Sequence, residues 1–456
     1  MGTPDRDEQL YERPDGDVHP MMMLAFVDSA QPPTEHEVEA RLKQAGFAPA
    51  IREDFPAEEG DFIWQSCWNV EGHDAALRAF VGPTRGFQPW RSDRVRWGSE
   101  AELNRAKRAK WVVGVESVQA EHPCEFLHFM LRAMCAAAGD DLAAVIDDSA
   151  SRTRGGSIAR SMAACTVPPG IDELIALHFI GGDNGFCWVH THGMRAYGAP
   201  NIEILGLRSE DGRNAETIMK TIAGRLIEFD VKTAGETLEF GDNLSAQLRE
   251  VSQAVKHFEP DLFGGSNDHD EHHDGWRLII LDPAAPWPPK RAATFEKLAP
   301  RELLAGVDVD PLLWFTDYET QRQSSMAKLR FPEAAMAFFG KRSVKSGLLV
   351  KLAIPANEKR ENFSQFLTNG QRPKGANQEH MWFEVSAFDK GIITAKLTNT
   401  PGFATFLKNG QQYKISAERV TSFQLWMDGK TYEPDTIEDL NRSVYVTDWT
   451  TFQDEP

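Results

Sequence analysis

The chain has 456 residues, 41% of them apolar, with 12 Trp and 27 Phe, which is ample material for several buried cores and excludes a disordered composition. The formal net charge is −19 and unevenly spread: residues 325–456 hold 17 Lys+Arg against 15 Asp+Glu, and the remainder 32 against 53. So acidic a body repels a nucleic-acid backbone, no apolar run approaches the ~20 residues of a membrane span, and the polar start TPDRDEQLYERPDGD lacks the parts of a signal peptide, so a cytoplasmic location is expected.

Residues 1–18 read as a disordered tail, and Met21–Val27 as a buried strand. Thr34 with Glu37 three residues on forms a capping box, and the helix it opens stops at Gly46. Strands are predicted near Ala48–Phe55 and over Asp61–Val70, and a short helix over His73–Phe80. This β-α-β-β-α run predicts a ferredoxin-like, split-βαβ sandwich over residues 19–95.

A larger α+β domain is expected over residues 96–315. It opens with a strand at Trp111–Val118 and a helix started by Pro123, whose stripe is Phe126, Phe129, Met130, Ala133 and Met134. Ser149–Gly156 reads as a loop. Leu174–Ile180 and Phe186–His192 flank a Gly/Asp/Asn turn, which predicts a hairpin. A strand at Asn201–Leu207, a helix from Ala215 to Phe229 and a strand at Trp276–Leu281 follow. Residues 316–340 predict a helix leading to a small β-rich, barrel-like domain over residues 330–445, with five short strands between Leu348 and Met427. The fold class is therefore α+β and multi-domain.

The order Glu379-His380-Met381-Trp382, then Leu397-Thr398-Asn399-Thr400-Pro401, then Lys408-Asn409-Gly410, resembles the YegJ-like family of bacterial domains of unknown function over about residues 330–430. Trp188-Val189-His190-Thr191-His192-Gly193 with Asn201-Ile202-Glu203-Ile204 resembles a second bacterial family of unknown function, usually fused ahead of the first, over about residues 20–310. Neither resemblance implies an activity.

His190 and His192 project from one face of their strand, because residues two apart do so. Pairing Ile180 with Phe186 would set His178 opposite Trp188, diagonal to His190 on that face, with Glu203 approaching from the next strand. His178, His190, His192 and Glu203 thus form a candidate site for Zn²⁺ or Fe²⁺ with an open position. His-x-His followed by Glu203 also partly resembles the metal-dependent isopeptidase motif, with Pro200 where that motif has serine. The alternative is that the histidines are hydrogen-bonded structural groups at a hairpin end. A second cluster, His269, His272 and His273 among Asp268, Asp270, Glu271 and Asp274, reads as a solvated loop. His380 and Trp382 form a candidate ligand-binding pair beside the basic Lys341–Lys351 stretch, weighed against Trp382 as barrel core with His380 at its rim. Phosphate loops, dinucleotide fingerprints, GxSxG and HExxH are all missing from the sequence. The five cysteines are widely spaced without a CxxC pair and read as small buried hydrophobes.

No catalytic set is complete, so the sequence leaves open whether this is an enzyme, and it establishes no cofactor. The reading placed first is a non-enzymatic binding or accessory protein, immunity-type or regulatory, whose acidic surface neutralises a basic protein partner. Its rival is a metal-dependent hydrolase using His190, His192 and Glu203. Nucleic-acid contact through the C-terminal module ranks third, and membrane association is not expected.

Overall fold

A computed structural model describes residues 19–51, 62–71, 73–84, 95–119, 121–181, 185–228, 235, 237–241, 244–254, 276–285, 287, 298–307, 317–340, 345–355, 378–402, 404–437 and 440. These fall into two units, one ending at Val307 and one beginning at Asp317.

The first unit opens on an eight-stranded sheet: β1 (Met21–Val27), β2 (Pro49–Ile51), β3 (Trp64–Val70), β4 (His73–Pro83), β5 (Val95–Trp97), β6 (Trp111–Ser117), β7 (Leu142–Asp147) and β8 (Arg152–Gly155). Its spatial order is β2-β3-β4-β6-β1-β7-β8-β5. Its helices are α1 (Glu35–Gln44), α2 (Glu100–Arg108), α3 (Pro123–Ala138) and α4 (Gly156–Ala164). β1 is antiparallel to β6 and to β7, so those two run parallel on either side of it, joined by α3. That is a split βαβ unit. The run MMMLAFV is apolar throughout because β1 is central in the sheet and almost wholly buried.

Local signals hold where the chain closes its own hydrogen bonds. The Glu37 N–H donates to Thr34 Oγ1 (3.3 Å) and the Thr34 N–H to Glu37 Oε2 (2.8 Å), which starts α1. Pro123 occupies the first turn of α3, where a missing N–H costs nothing.

Two local expectations are corrected. His73–Phe80 is the strand β4, not a helix. Helix propensity is worth only tenths of a kcal/mol per residue, and pairing with β3 and β6 on both sides buries Leu77, Ala79 and Val81 completely. Within Ser149–Gly156, read as a loop, Arg152–Gly155 forms β8. Arg152 and Arg154 look like loop residues in isolation, but both are buried against Glu173 (2.9 and 3.0 Å). The sheet also runs past residue 95, since β6, β7 and β8 complete it.

The second sheet contains β9 (Ala176–Gly181), β10 (Phe186–His192), β11 (Asn201–Arg208), β12 (Thr237–Gly241), β13 (Leu244–Glu250) and β14 (Arg277–Leu281), in the order β12-β13-β14-β11-β10-β9. Only the β11–β14 pair is parallel among the described strands of this sheet. Helix α5 (Gly212–Glu228) packs on β11 and buries Ile218, Ile222, Leu226 and Ile227, as its spacing predicts. Helix α6 (Arg301–Val307) packs on α5.

The second unit consists of helix α7 (Asp317–Gly340) on a six-stranded antiparallel sheet: β15 (Gly347–Pro355), β16 (Gln378–Asp389), β17 (Ile392–Leu397), β18 (Gln412–Ser416), β19 (Val420–Met427) and β20 (Lys430–Tyr432). The order is β18-β17-β16-β15-β19-β20. Phe331, Ala334, Ala335 and Phe338 of α7 meet Val350, Met381, Phe383 and Phe423 in one core, so α7 belongs to this unit rather than leading into it. β20 was not anticipated. The turn that creates it, Asp428-Gly429, has both residues at positive φ (53° and 79°), the requirement of a two-residue hairpin. No helix among the described residues is long and apolar enough to cross a membrane.

Candidate metal centre

β10 alternates Trp188, His190 and His192 on one face with Val189 and Thr191 on the other. The register differs from the expected one by two residues: Ile180 pairs with Trp188, and His178 lies directly opposite His190. A two-residue shift keeps every side chain on its face, so His178 stays with the other histidines and comes closer than the diagonal pairing allowed. On the other side of β10, His190 is the partner of Glu203 in β11.

The three imidazoles converge. A ligand nitrogen of each of His178, His190 and His192 lies within 4.8 Å of those of the other two. His190 Nε2 and His192 Nε2 are 3.0 Å apart. Two N–H groups cannot face each other at that distance, so at least one of the two Nε2 atoms presents its lone pair to the other. All three residues are buried. Four donors at 2.0–2.1 Å around tetrahedral zinc stand about 3.3 Å apart, close to the 3.0 Å between His190 Nε2 and His192 Nε2.

The strand that carries His190 and His192 is fixed at this end. The Ile202 N–H donates to Thr191 Oγ1 (2.8 Å), which ties β10 to β11 just beyond the last paired residue, His190. Gly193 closes the strand at φ +100°, and a Cβ there would lie 2.6 Å from Leu174 O. Only glycine fits that turn.

Glu203 is engaged by Trp188 and Arg277. The Trp188 indole N–H donates to Glu203 Oε2 (3.3 Å), and Arg277 Nε lies 3.4 Å from the same oxygen. The Trp188 ring sits 4.2 Å from the His190 ring. Beyond it Trp188, Leu205, Ile279 and Leu281 form an apolar cluster. One sheet face therefore passes from three imidazoles, through a carboxylate–guanidinium pair, to a hydrophobic patch.

The other candidates part company. His269, His272 and His273 lie outside the described residues. His380 and Trp382 share the face of β16 turned away from α7, while Met381 and Phe383 fill the core, so the expectation of Trp382 as core is overturned. Strand alternation decides this, because Met381 and Phe383 are the apolar pair two residues apart. Lys351 Nζ stands 5.5 Å from the Trp382 ring centroid, a cation–π contact, and burial pushes its ammonium pKa down. Glu379 of the same motif accepts the Ala404 N–H (2.8 Å), and Asn399 Oδ1 accepts the Trp382 N–H (2.9 Å). These two motif residues tie loops to strands.

Two groupings escaped the sequence. Arg277 opens an otherwise apolar strand, which is the one local sign that it is special. His73 joins Glu121 through Nδ1 (3.1 Å) and Ser117 through Nε2 (3.1 Å), in the order of a hydrolase triad. Ser117 is 4% exposed and its hydroxyl donates to Ala76 O (2.9 Å), so its proton is already committed. That serine is a structural group.

Comparison with known families adds the following. Residues 178–281 match the family described as "Protein of unknown function (DUF4026) C-terminal", and residues 343–454 match "Uncharacterized protein conserved in bacteria (DUF2314)". The first match begins at His178 and spans the three histidines, Glu203 and Arg277. Both matched families are of unknown function, as the motifs in these two regions imply, and the first match covers residues 178–281 of the wider stretch to which the resemblance extends. No curated protein and no solved structure matches the chain.

Proposed function

We propose that this protein binds a divalent transition-metal ion, zinc or iron(II), through His178, His190 and His192. The observation that carries the reading is the convergence of three buried imidazoles from two paired strands within 4.8 Å. Neutral imidazole is the donor these ions favour, and three of them leave a coordination position for water or a ligand. At such a position zinc lowers the pKa of bound water to about 7, the basis of hydrolytic chemistry. Glu203 stands next to His190 across the β10–β11 pairing, as a carboxylate that accepts from Trp188 and faces Arg277.

The test is metal content by elemental analysis of untagged protein and of a His190→Ala/His192→Ala variant, with residues 263–275 deleted from both so that the His/Asp stretch supplies no signal. About one equivalent of zinc or iron, lost in the variant while circular dichroism is unchanged, is expected. Equal metal in both, or none after loading with either ion, removes the reading.

A second reading, a binding or accessory role towards a basic protein partner, is favoured by the net charge of −19. Affinity purification that recovers no protein partner at native expression level would count against it.

A further inference from the structure

Arg277 belongs to the same sheet face as the histidines. His190 pairs with Glu203, Glu203 pairs with Ile279, and Arg277 is two residues from Ile279 on one strand. The side chain is fully buried, 0% exposed. Glu203 approaches it at Nε and offsets its charge, yet none of its three guanidinium nitrogens makes a hydrogen bond to a described residue. The large majority of buried polar side-chain groups in folded proteins are hydrogen-bonded, and a guanidinium with all three nitrogens unbonded calls for an explanation. The Nη1 and Nη2 atoms form a planar fork whose geometry matches two oxygens of one carboxylate or phosphate group.

We infer that Arg277 is an oxyanion-binding residue, and that the ligand of this site is a small molecule bearing a carboxylate or phosphate group held by the Arg277 fork. The placement also suits a ligand whose other end reaches the metal. β14 and β10 are separated by one strand, β11, so their backbones stand about 10 Å apart, the span of a small organic acid or phosphate ester. For that metal end alone, the inference rests on the reading of the three histidines as a metal centre. The anion contact stands on Arg277 itself. Glu203 then has a second consequence: it neutralises Arg277 in the absence of ligand, so the site binds the anion for its hydrogen-bonding geometry more than for its charge.

The test is equilibrium dialysis of the full-length protein against radiolabelled acetate and, separately, radiolabelled inorganic phosphate, at constant ionic strength set with chloride. About one equivalent of one anion should bind, and Arg277→Lys, which keeps the charge opposite Glu203 but loses the fork, should bind at least about tenfold more weakly. Acetate alone would mark a carboxylate ligand, and phosphate a phosphoryl one. Binding of neither anion by the wild-type protein, or equal binding by Arg277→Lys, overturns the inference. Should Arg277→Lys not fold, a Glu203→Gln/Arg277→Gln double variant, which removes the fork and leaves no buried charge unpaired, replaces it, and equal anion binding by that variant overturns the inference. Metal content measured on the same samples separates the two readings. Anion bound without metal sinks the metal centre alone, and metal bound without anion sinks the oxyanion site alone.

Discussion

His178 and His190 are direct partners across β9 and β10, with ring centroids 5.3 Å apart. Their meeting depends on the register of one hairpin. If His178 completes the donor set, His178→Ala leaves two imidazoles from a single strand, and zinc affinity should fall at least about tenfold. Competition with a chromophoric chelator measures this, and unchanged affinity would remove His178 from the set. Zinc should also be released on acidification, since imidazole must be neutral to ligate.

Glu102 serves two helices at once. It accepts the Ser99 N–H (3.0 Å) at the start of α2 and the Ser157 N–H (2.7 Å) at the start of α4. Burial pushes its carboxyl pKa up, but the Ser157 and Ser99 donors outweigh this, and the net shift is downward. A carboxyl whose folded pKa is depressed contributes stability above its unfolded value, near 4.5, and loses it as pH falls through the folded one. Glu102→Gln should cost about 1 kcal/mol at pH 7 by urea unfolding, with the gap to wild type closing below pH 4.5. A gap independent of pH would show that the charge is not what matters.

In the second unit, Arg322 is buried between Glu319 (2.7 Å) and Asp435 (2.8 Å). Burial opposes its charge, but the carboxylates of Asp435 and Glu319 hold its pKa well above the ordinary guanidinium value. Arg322→Ala leaves Glu319 buried without its cation and should destabilise this unit by about 3 kcal/mol in chemical denaturation. A loss under ~1 kcal/mol, the scale of an exposed pair, would mean that water replaces the arginine.

Ser117 provides a negative prediction. Because its hydroxyl donates to Ala76 O, it should not react with a fluorophosphonate probe, and Ser117→Ala should lower thermal stability only modestly. Labelling at Ser117 would make the Glu121–His73–Ser117 array a working triad.

What could be read in the sequence was whatever depends on near neighbours. The alternation of Trp188, His190 and His192 needs only a strand, and the capping box at Thr34 only one turn of helix. The position of His178 depends on how many residues the hairpin turn spends, so the expected register missed by two, and the even shift spared the face. β4 was misread because its propensity is local and its pairing is not. Arg277 lies 85 residues beyond His192, and only the parallel β11–β14 pairing brings it to the site. Lone arginines carry no periodic signal, and the same blindness hid Arg152 and Arg154.

The placement of β1 also governs the order of assembly. Met23 pairs with Val115 on one side and with Asp147 on the other, so the second strand at the centre of the sheet docks only after Asp147 has left the ribosome. At roughly 5–20 residues per second, that interval is many seconds long. The apolar segment MMMLAFV lacks both native neighbours until β6 follows, and keeps one open edge until β7 does. Nascent chains of this protein therefore present an aggregation-prone strand near the N-terminus for the time needed to make more than a hundred further residues, and chaperone capture during synthesis is the natural remedy.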